Sequence, residues 1–211
     1  MALRDYVAWH DEYGQPGSRL HLRLLVVQDL IALALDDLPP GPIRVLSLCA
    51  GQGHDLLTVA RRHRRGRDLT GRLVELDPHN VAAMRTTIEQ AGLDGLEVVE
   101  GDAGVSDSYA GAVPADLVLT CGIFGNISDE DIEATVAFLP ALCSPGAWVV
   151  WTRQPRAPDL IGTIEGWSVE AGFEPRALVV QGELAFGVGA ARLVGDPMPF
   201  RGEERLFTFV R

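Results

Sequence analysis

The stretch Val45-Leu-Ser-Leu-Cys-Ala-Gly51-Gln-Gly53-His-Asp55 decides how this chain folds. A short apolar run passes into a Gly-x-Gly turn and then into a helix-forming segment. That is the pattern of a buried strand ending in a tight turn. Turn glycines let backbone N–H groups come close to a ligand. Glu75 follows Gly53 by 22 residues and closes a second apolar run, Gly71-Arg-Leu-Val-Glu75. A carboxylate at about that spacing suits a ribose diol. Turn and carboxylate together describe a nucleoside pocket at the carboxyl ends of neighbouring parallel strands.

The same spacing argues against a dinucleotide. The pyrophosphate fingerprint is Gly-x-Gly-x-x-Gly, and its third glycine position is Leu56 here. A P-loop is excluded, because the chain contains no lysine. What remains is a nucleoside cofactor without a pyrophosphate, of which S-adenosylmethionine is the commonest.

The 211 residues fit one core. A net charge of −11 argues against an extended nucleic-acid footprint, which needs basic surface. Cys49, Cys121 and Cys143 form no CxxC or metal-spaced pattern, and the expectation is three reduced, buried thiols. The N-terminus lacks a signal-peptide core, and the leucine-rich run from Leu20 carries too many charges to span a membrane. A soluble cytoplasmic protein without a metal site is expected.

Strand and helix signals alternate along the chain. Residues 1–17 read as a small helix and a turn, and Ser18 caps a helix ending before Pro39-Pro40. Strands are expected at 43–49, 71–75, 96–100, 116–121 and 147–152, with helices between them. Asp77 caps one helix, Pro78 takes its first position and Gly92 ends it. Ser128 opens another. Two final strand-like runs, 176–189 and 204–211, have no helix between them and are expected to pair as a hairpin. The alternation predicts a three-layer α/β sandwich on a mostly parallel, seven-stranded sheet whose last strand is antiparallel. The basic run Arg61-Arg-His63-Arg64-Arg65-Gly-Arg67 reads as a solvated helix end.

Four blocks in this order resemble the class I, Rossmann-like S-adenosylmethionine-dependent methyltransferases. They are Leu48-Cys-Ala-Gly51-Gln-Gly53, Val74-Glu75-Leu-Asp-Pro78, Glu100-Gly101-Asp102-Ala103, and Ala115-Asp116 through Gly125-Asn126-Ile. Each block alone is weak, and the resemblance covers about residues 40–211. It implies a methyltransferase domain over 40–211 behind a helical lid at 1–39. It also implies that Ala50, Gly51, Gly53 and Leu76 meet S-adenosylmethionine, with Glu75 at the ribose and Asp102 and Ala103 at the adenine. Cys121 would contact the cofactor from the fourth strand.

Two departures stand out. Ser47 replaces the family's acidic residue, which helps hold the methionine ammonium, and Cys49 replaces the first turn glycine. Water, Asp55 or the N-terminal segment is left to anchor the amino-acid end. Tyr13 and Arg23 are candidates to grip the methionine carboxylate. His10 is the candidate general base. The alternative for the whole segment around Trp9, His10 and Tyr13 is a lid whose aromatics pack on the core. Asn126 either orients an acceptor atom or serves the turn. Asp77 is read as a helix cap rather than a ligand.

Without an Asp-Pro-Pro-Tyr or Asn-Pro-Pro-Tyr sequence after the fourth strand, methyl transfer to an O or N atom of a small molecule is expected. The alternative is a non-catalytic or regulatory S-adenosylmethionine-binding module of the same fold. Partners are expected to be the small-molecule acceptor alone, with no nucleic acid and no membrane.

Overall fold

A computed structural model describes residues 15–210. Helix α1 (Arg19–Asp37) is capped by Ser18, whose hydroxyl accepts the His21 N–H at 3.1 Å. Strand β1 (Ile43–Leu48) leads into α2 (Leu56–Arg62), and β2 (Leu69–Glu75) into α3 (Pro78–Ala91). Asp77 caps α3, Pro78 begins it, and Gly92 at φ 61° closes it. Strands β3 (Leu96–Glu100) and β4 (Ala115–Thr120) follow, then α4 (Asp129–Leu142), β5 (Cys143–Arg153) and α5 (Ile161–Glu170). Strands β6 (Phe173–Gln181) and β7 (Phe186–Leu193) close the sheet.

The seven strands lie in the order β3-β2-β1-β4-β5-β7-β6. The first five are parallel, and β7 runs antiparallel to both β5 and β6. Side chains of the central strands alternate between two apolar layers. Leu117 and Leu119 of β4 face the layer of α1, α2 and α3, whereas Val118 faces that of α4 and α5. Val27, Leu30, Ile31, Ala34 and Leu35 make α1 part of the first layer.

The closing hairpin differs from the sequence expectation. The chain reverses at residues 182–185, where Ala185 adopts φ 49°, so the expected strand 176–189 is split between β6 and β7. Leu184 and Ala185 are apolar, so half of the turn reads like the strands that flank it. Residues 204–210 are not a sheet strand. They bury Leu206 and Phe207 against the α4 and α5 layer, which satisfies their apolar signal without a ladder.

The basic run is also not a plain solvated end. Arg65 is buried, and its guanidinium donates to the carbonyls of Leu35, Leu38, Pro39 and Gly41. It thereby satisfies the acceptors left at the end of α1. Asp68 pairs with its Nε at 3.0 Å. Only Cys143 of the three free thiols is fully buried; Cys49 and Cys121 are half-buried because they stand where strands open into loops. Among the described residues, no helix is long and apolar enough to cross a membrane.

Candidate functional site

The chain reverses its direction of travel between β1 and β4, so the loops after these two strands diverge and leave a crevice at their carboxyl ends. That is where an open α/β sheet binds ligands. The first wall is the turn after β1. Cys49, Gly51 and Gly53 all take positive φ, at 54°, 58° and 70°. Cys49 does so despite its Cβ, which costs about 1–2 kcal/mol; its side chain packs on the α4 and α5 layer. At Gly53 an added Cβ would lie 2.8 Å from Leu57 Cδ1 and 3.3 Å from Met84 Cγ, so the turn seats tightly between the start of α2 and α3.

Glu75 ends β2 beside this turn. Its Oε2 accepts the Gly51 N–H at 2.7 Å and its Oε1 accepts the Asp77 N–H at 2.9 Å. A carboxylate has about four lone-pair positions, so each oxygen keeps one for a ligand hydroxyl. Leu76 beside it is 66% exposed, an apolar side chain left open at the crevice rim. Asp77 acts as the cap: its Oδ1 accepts the His79 N–H at 2.8 Å, and that bond holds its carboxyl below the usual carboxylate range.

After β3, Asp102 Oδ1 accepts the Gly104 N–H at 2.7 Å and Oδ2 faces Arg205 at 3.1 Å. Ala103 is buried, and its carbonyl takes the Tyr109 hydroxyl. After β4, the Cys121 thiol donates to the Val150 carbonyl at 3.8 Å, and burial pushes its pKa up. Asn126 Nδ2 donates to the Gly122 carbonyl at 2.7 Å, so the side chain does serve the turn.

Asp55 caps α2, accepting the Leu56 N–H at 2.7 Å. Burial raises its pKa, opposed by its backbone hydrogen bonds and by the charges of His54 and Arg23. Arg23 and Asp55 also act on Cys121. Arg23, Asp55 and Cys121 therefore share one electrostatic neighbourhood, although they come from three different elements. Ser47 is buried within β1. His10, Tyr13 and Trp9 lie outside the described residues.

Several residues that shape the site carried no motif. Gln28 Nε2 reaches from α1 to the His54 carbonyl at 2.9 Å. Arg153, buried at the end of β5, donates to the Phe124 carbonyl, and Arg156 donates to that of Gly125 at 2.6 Å. Thr152 Oγ1 accepts the Gly122 N–H at 2.8 Å. These three hold the loop after β4, and the only sequence signal was a pair of arginines just past a strand. Among the described residues, no group of three or more His, Cys, Asp or Glu is placed to hold a metal ion.

A family model described as "Putative methyltransferase" matches residues 8–165 of the 211. The chain belongs to this methyltransferase family. No curated protein matches it. Its fold is similar to that of magnesium protoporphyrin IX methyltransferase from Synechocystis, solved with S-adenosylhomocysteine. The TM-score is 0.65 at 12% identity, over 89% of this chain and 93% of that one. An O-methyltransferase family protein from Burkholderia thailandensis gives 0.59 at 18% identity, over 79% of this chain but only 56% of its own length. An RNA methyltransferase from Salinibacter ruber, in complex with S-adenosylhomocysteine, gives 0.51 at 20% identity, over 85% and 96%. What these structures share with the chain is the fold.

Proposed function

We propose that this methyltransferase uses S-adenosylmethionine to methylate an O or N atom of a small-molecule acceptor. The observation that carries the proposal is Glu75, fixed by two backbone N–H groups at 2.7 and 2.9 Å beside a positive-φ glycine turn. That is a diol receptor built before any ligand arrives. Leu76 adds an apolar surface for the nucleobase, and Asp102 with the Ala103 N–H an edge for its polar atoms. The relatives solved with S-adenosylhomocysteine support the cofactor assignment.

Bound S-adenosylmethionine supplies an activated sulfonium methyl for in-line attack. The residues of the chain then have to position, orient and exclude water. Gly51 and Gly53 admit the cofactor to the backbone, and Glu75 fixes its ribose. Arg23 and Asp55 lie in one neighbourhood and offer a cation and an anion for the carboxylate and ammonium of the methionine end. Asn126, held by Gly122, offers an amide to the acceptor, and Cys121 lines the same loop. His10 is the proposed base for an oxygen acceptor of high pKa, and Tyr13 adds to the carboxylate grip. Residues 1–39 form the cover and 40–211 the domain it covers; the cover is anchored by α1, which packs into the first apolar layer.

A net charge of −11 favours a small acceptor over nucleic acid, although one similar structure is an RNA methyltransferase. The test is methyl-labelled S-adenosylmethionine incubated with a metabolite extract and, in parallel, with RNA. Label in a small molecule only is the expected result. Label in RNA alone contradicts the acceptor class, and binding without label in either favours the non-catalytic module.

A further inference from the structure

The chain does not stop at the last strand. After β7 it crosses to the α4 and α5 face, and residues 204–210 lie across two loops of the crevice. Ser106 N–H donates to the Glu204 carbonyl at 2.9 Å, and Leu206 N–H to the Gly104 carbonyl at 2.8 Å. Further on, Thr208 N–H donates to Asp131 Oδ2 at 2.9 Å, and Val210 N–H to the Asn126 carbonyl at 2.9 Å. The segment therefore straps the loop after β3 to the loop after β4. Leu206 and Phe207 anchor it, being 4% and 1% exposed. Gly104 permits the close approach, because an added Cβ there would overlap the Phe207 carbonyl.

The strap delivers one charged group to the crevice. Arg205 Nη2 stands 3.1 Å from Asp102 Oδ2, while Oδ1 is held by the Gly104 N–H at 2.7 Å. Both side chains are about half exposed, at 52% and 46%. An ion pair in that setting adds little to folding, and the buried Leu206 and Phe207 already fix the strap. What the pair does fix is the orientation and charge of the Asp102 carboxylate.

We propose that Arg205 is a positioning residue for the nucleobase end of the cofactor pocket, aiming Asp102 so that it selects a 6-aminopurine over a 6-oxopurine. The proposal rests on the S-adenosylmethionine assignment above. An adenine presents an N–H donor at position 6 and an acceptor at N1, which match the Asp102 carboxylate and a backbone N–H. Hypoxanthine exchanges donor and acceptor on that edge. A carboxylate already tied at both oxygens cannot turn away to accommodate the wrong base, and a polar group facing a mismatched partner on the ligand discriminates against it.

The experiment compares calorimetric affinities for S-adenosylhomocysteine and S-inosylhomocysteine in the full chain and in Asp102→Ala, Arg205→Ala and Arg205→Lys. The wild type should prefer the adenosyl ligand, and Asp102→Ala should lose most of that preference. Arg205→Ala should weaken S-adenosylhomocysteine by about fivefold and narrow the preference by a similar factor. Arg205→Lys, which keeps the charge, should recover part of it. The thermal midpoint of the unliganded Ala variant should stay within about 3 °C of wild type, as expected for an exposed pair. If Arg205→Ala is poorly folded, Arg205→Gln carries the test with the same loss expected. Wild-type affinity and preference in the Arg205 variants, beside a defective Asp102→Ala, overturns the role of Arg205 and leaves the cofactor assignment standing. Failure of the wild type to bind either ligand overturns both.

Discussion

Glu75 and Gly51 are joined at one wall of the crevice by a 2.7 Å hydrogen bond from the glycine N–H to Oε2. The end of β2 is thereby locked to the turn after β1, and the carboxylate is held in one orientation before a ligand enters. Preorganisation of this kind removes an ordering cost from binding.

Glu75→Ala should weaken S-adenosylhomocysteine binding at least tenfold, since charge-assisted bonds to two hydroxyls contribute about 1.5–3 kcal/mol each. Glu75→Gln should fall between, because one carbonyl oxygen survives. Calorimetry on variants with wild-type circular dichroism is the check. Unchanged affinity in the Ala variant would reduce Glu75 to a brace for the turn.

Asp55 makes a prediction about pH. Its folded pKa is raised by burial, so the native protein still holds a proton in a range where the unfolded chain has released it. Stability therefore falls as pH rises from about 4, near the unfolded value, through the folded pKa, and stays lower above it. Asp55→Asn keeps a capping side chain for α2 but removes the buried charge. Its melting midpoint should gain on wild type as pH rises above about 4, while its affinity for the cationic cofactor drops. Parallel midpoint curves, or undiminished affinity, would separate Asp55 from the site.

The fold was legible where local chemistry agreed with topology. Asp77-Pro78 and Gly92 bound α3 in sequence and in structure alike, since capping and left-handed closure are local events. The crevice was legible because Gly51, Gly53 and Glu75 need a particular backbone and a particular strand end. The turn at residues 182–185 is not legible, because Glu183, Leu184 and Ala185 carry little turn chemistry beyond Gly182. The role of Arg65 is not legible for a different reason. Nothing local distinguishes it from Arg64, and only the end of α1 in space supplies four carbonyls for it. Arg153 and the strap 204–210 were equally invisible, being contacts between segments far apart in the chain.

Arg65→Ala should destabilise the fold by about 3 kcal/mol or more, because it leaves several carbonyls of the α1 terminus without donors. Arg65→Lys should recover only part, having no planar fork to span them. Denaturant unfolding measures both. Arg64→Ala, which removes an exposed pair with Asp36, should stay within about 0.5 kcal/mol of wild type. Equal losses at the two positions would contradict the clamp.

The proposed role of the N-terminal segment as a cover bears on separate parts of the ligand. Removing residues 1–17 should leave the sheet folded, since β1 begins at Ile43, and should abolish methyl transfer while weakening cofactor binding. Arg23→Ala should weaken S-adenosylmethionine more than adenosine, which lacks the carboxylate. Equal losses for the two ligands would exclude that contact.

The central claim is that the crevice between β1 and β4 holds S-adenosylmethionine. Calorimetric titration of the full chain with S-adenosylhomocysteine, beside NAD as a control, tests it most directly. Saturable one-to-one binding of S-adenosylhomocysteine, a rise in thermal midpoint at saturation by mass action, and no heat from NAD are expected. No heat and no midpoint shift with S-adenosylhomocysteine, or binding of NAD in its place, would contradict it.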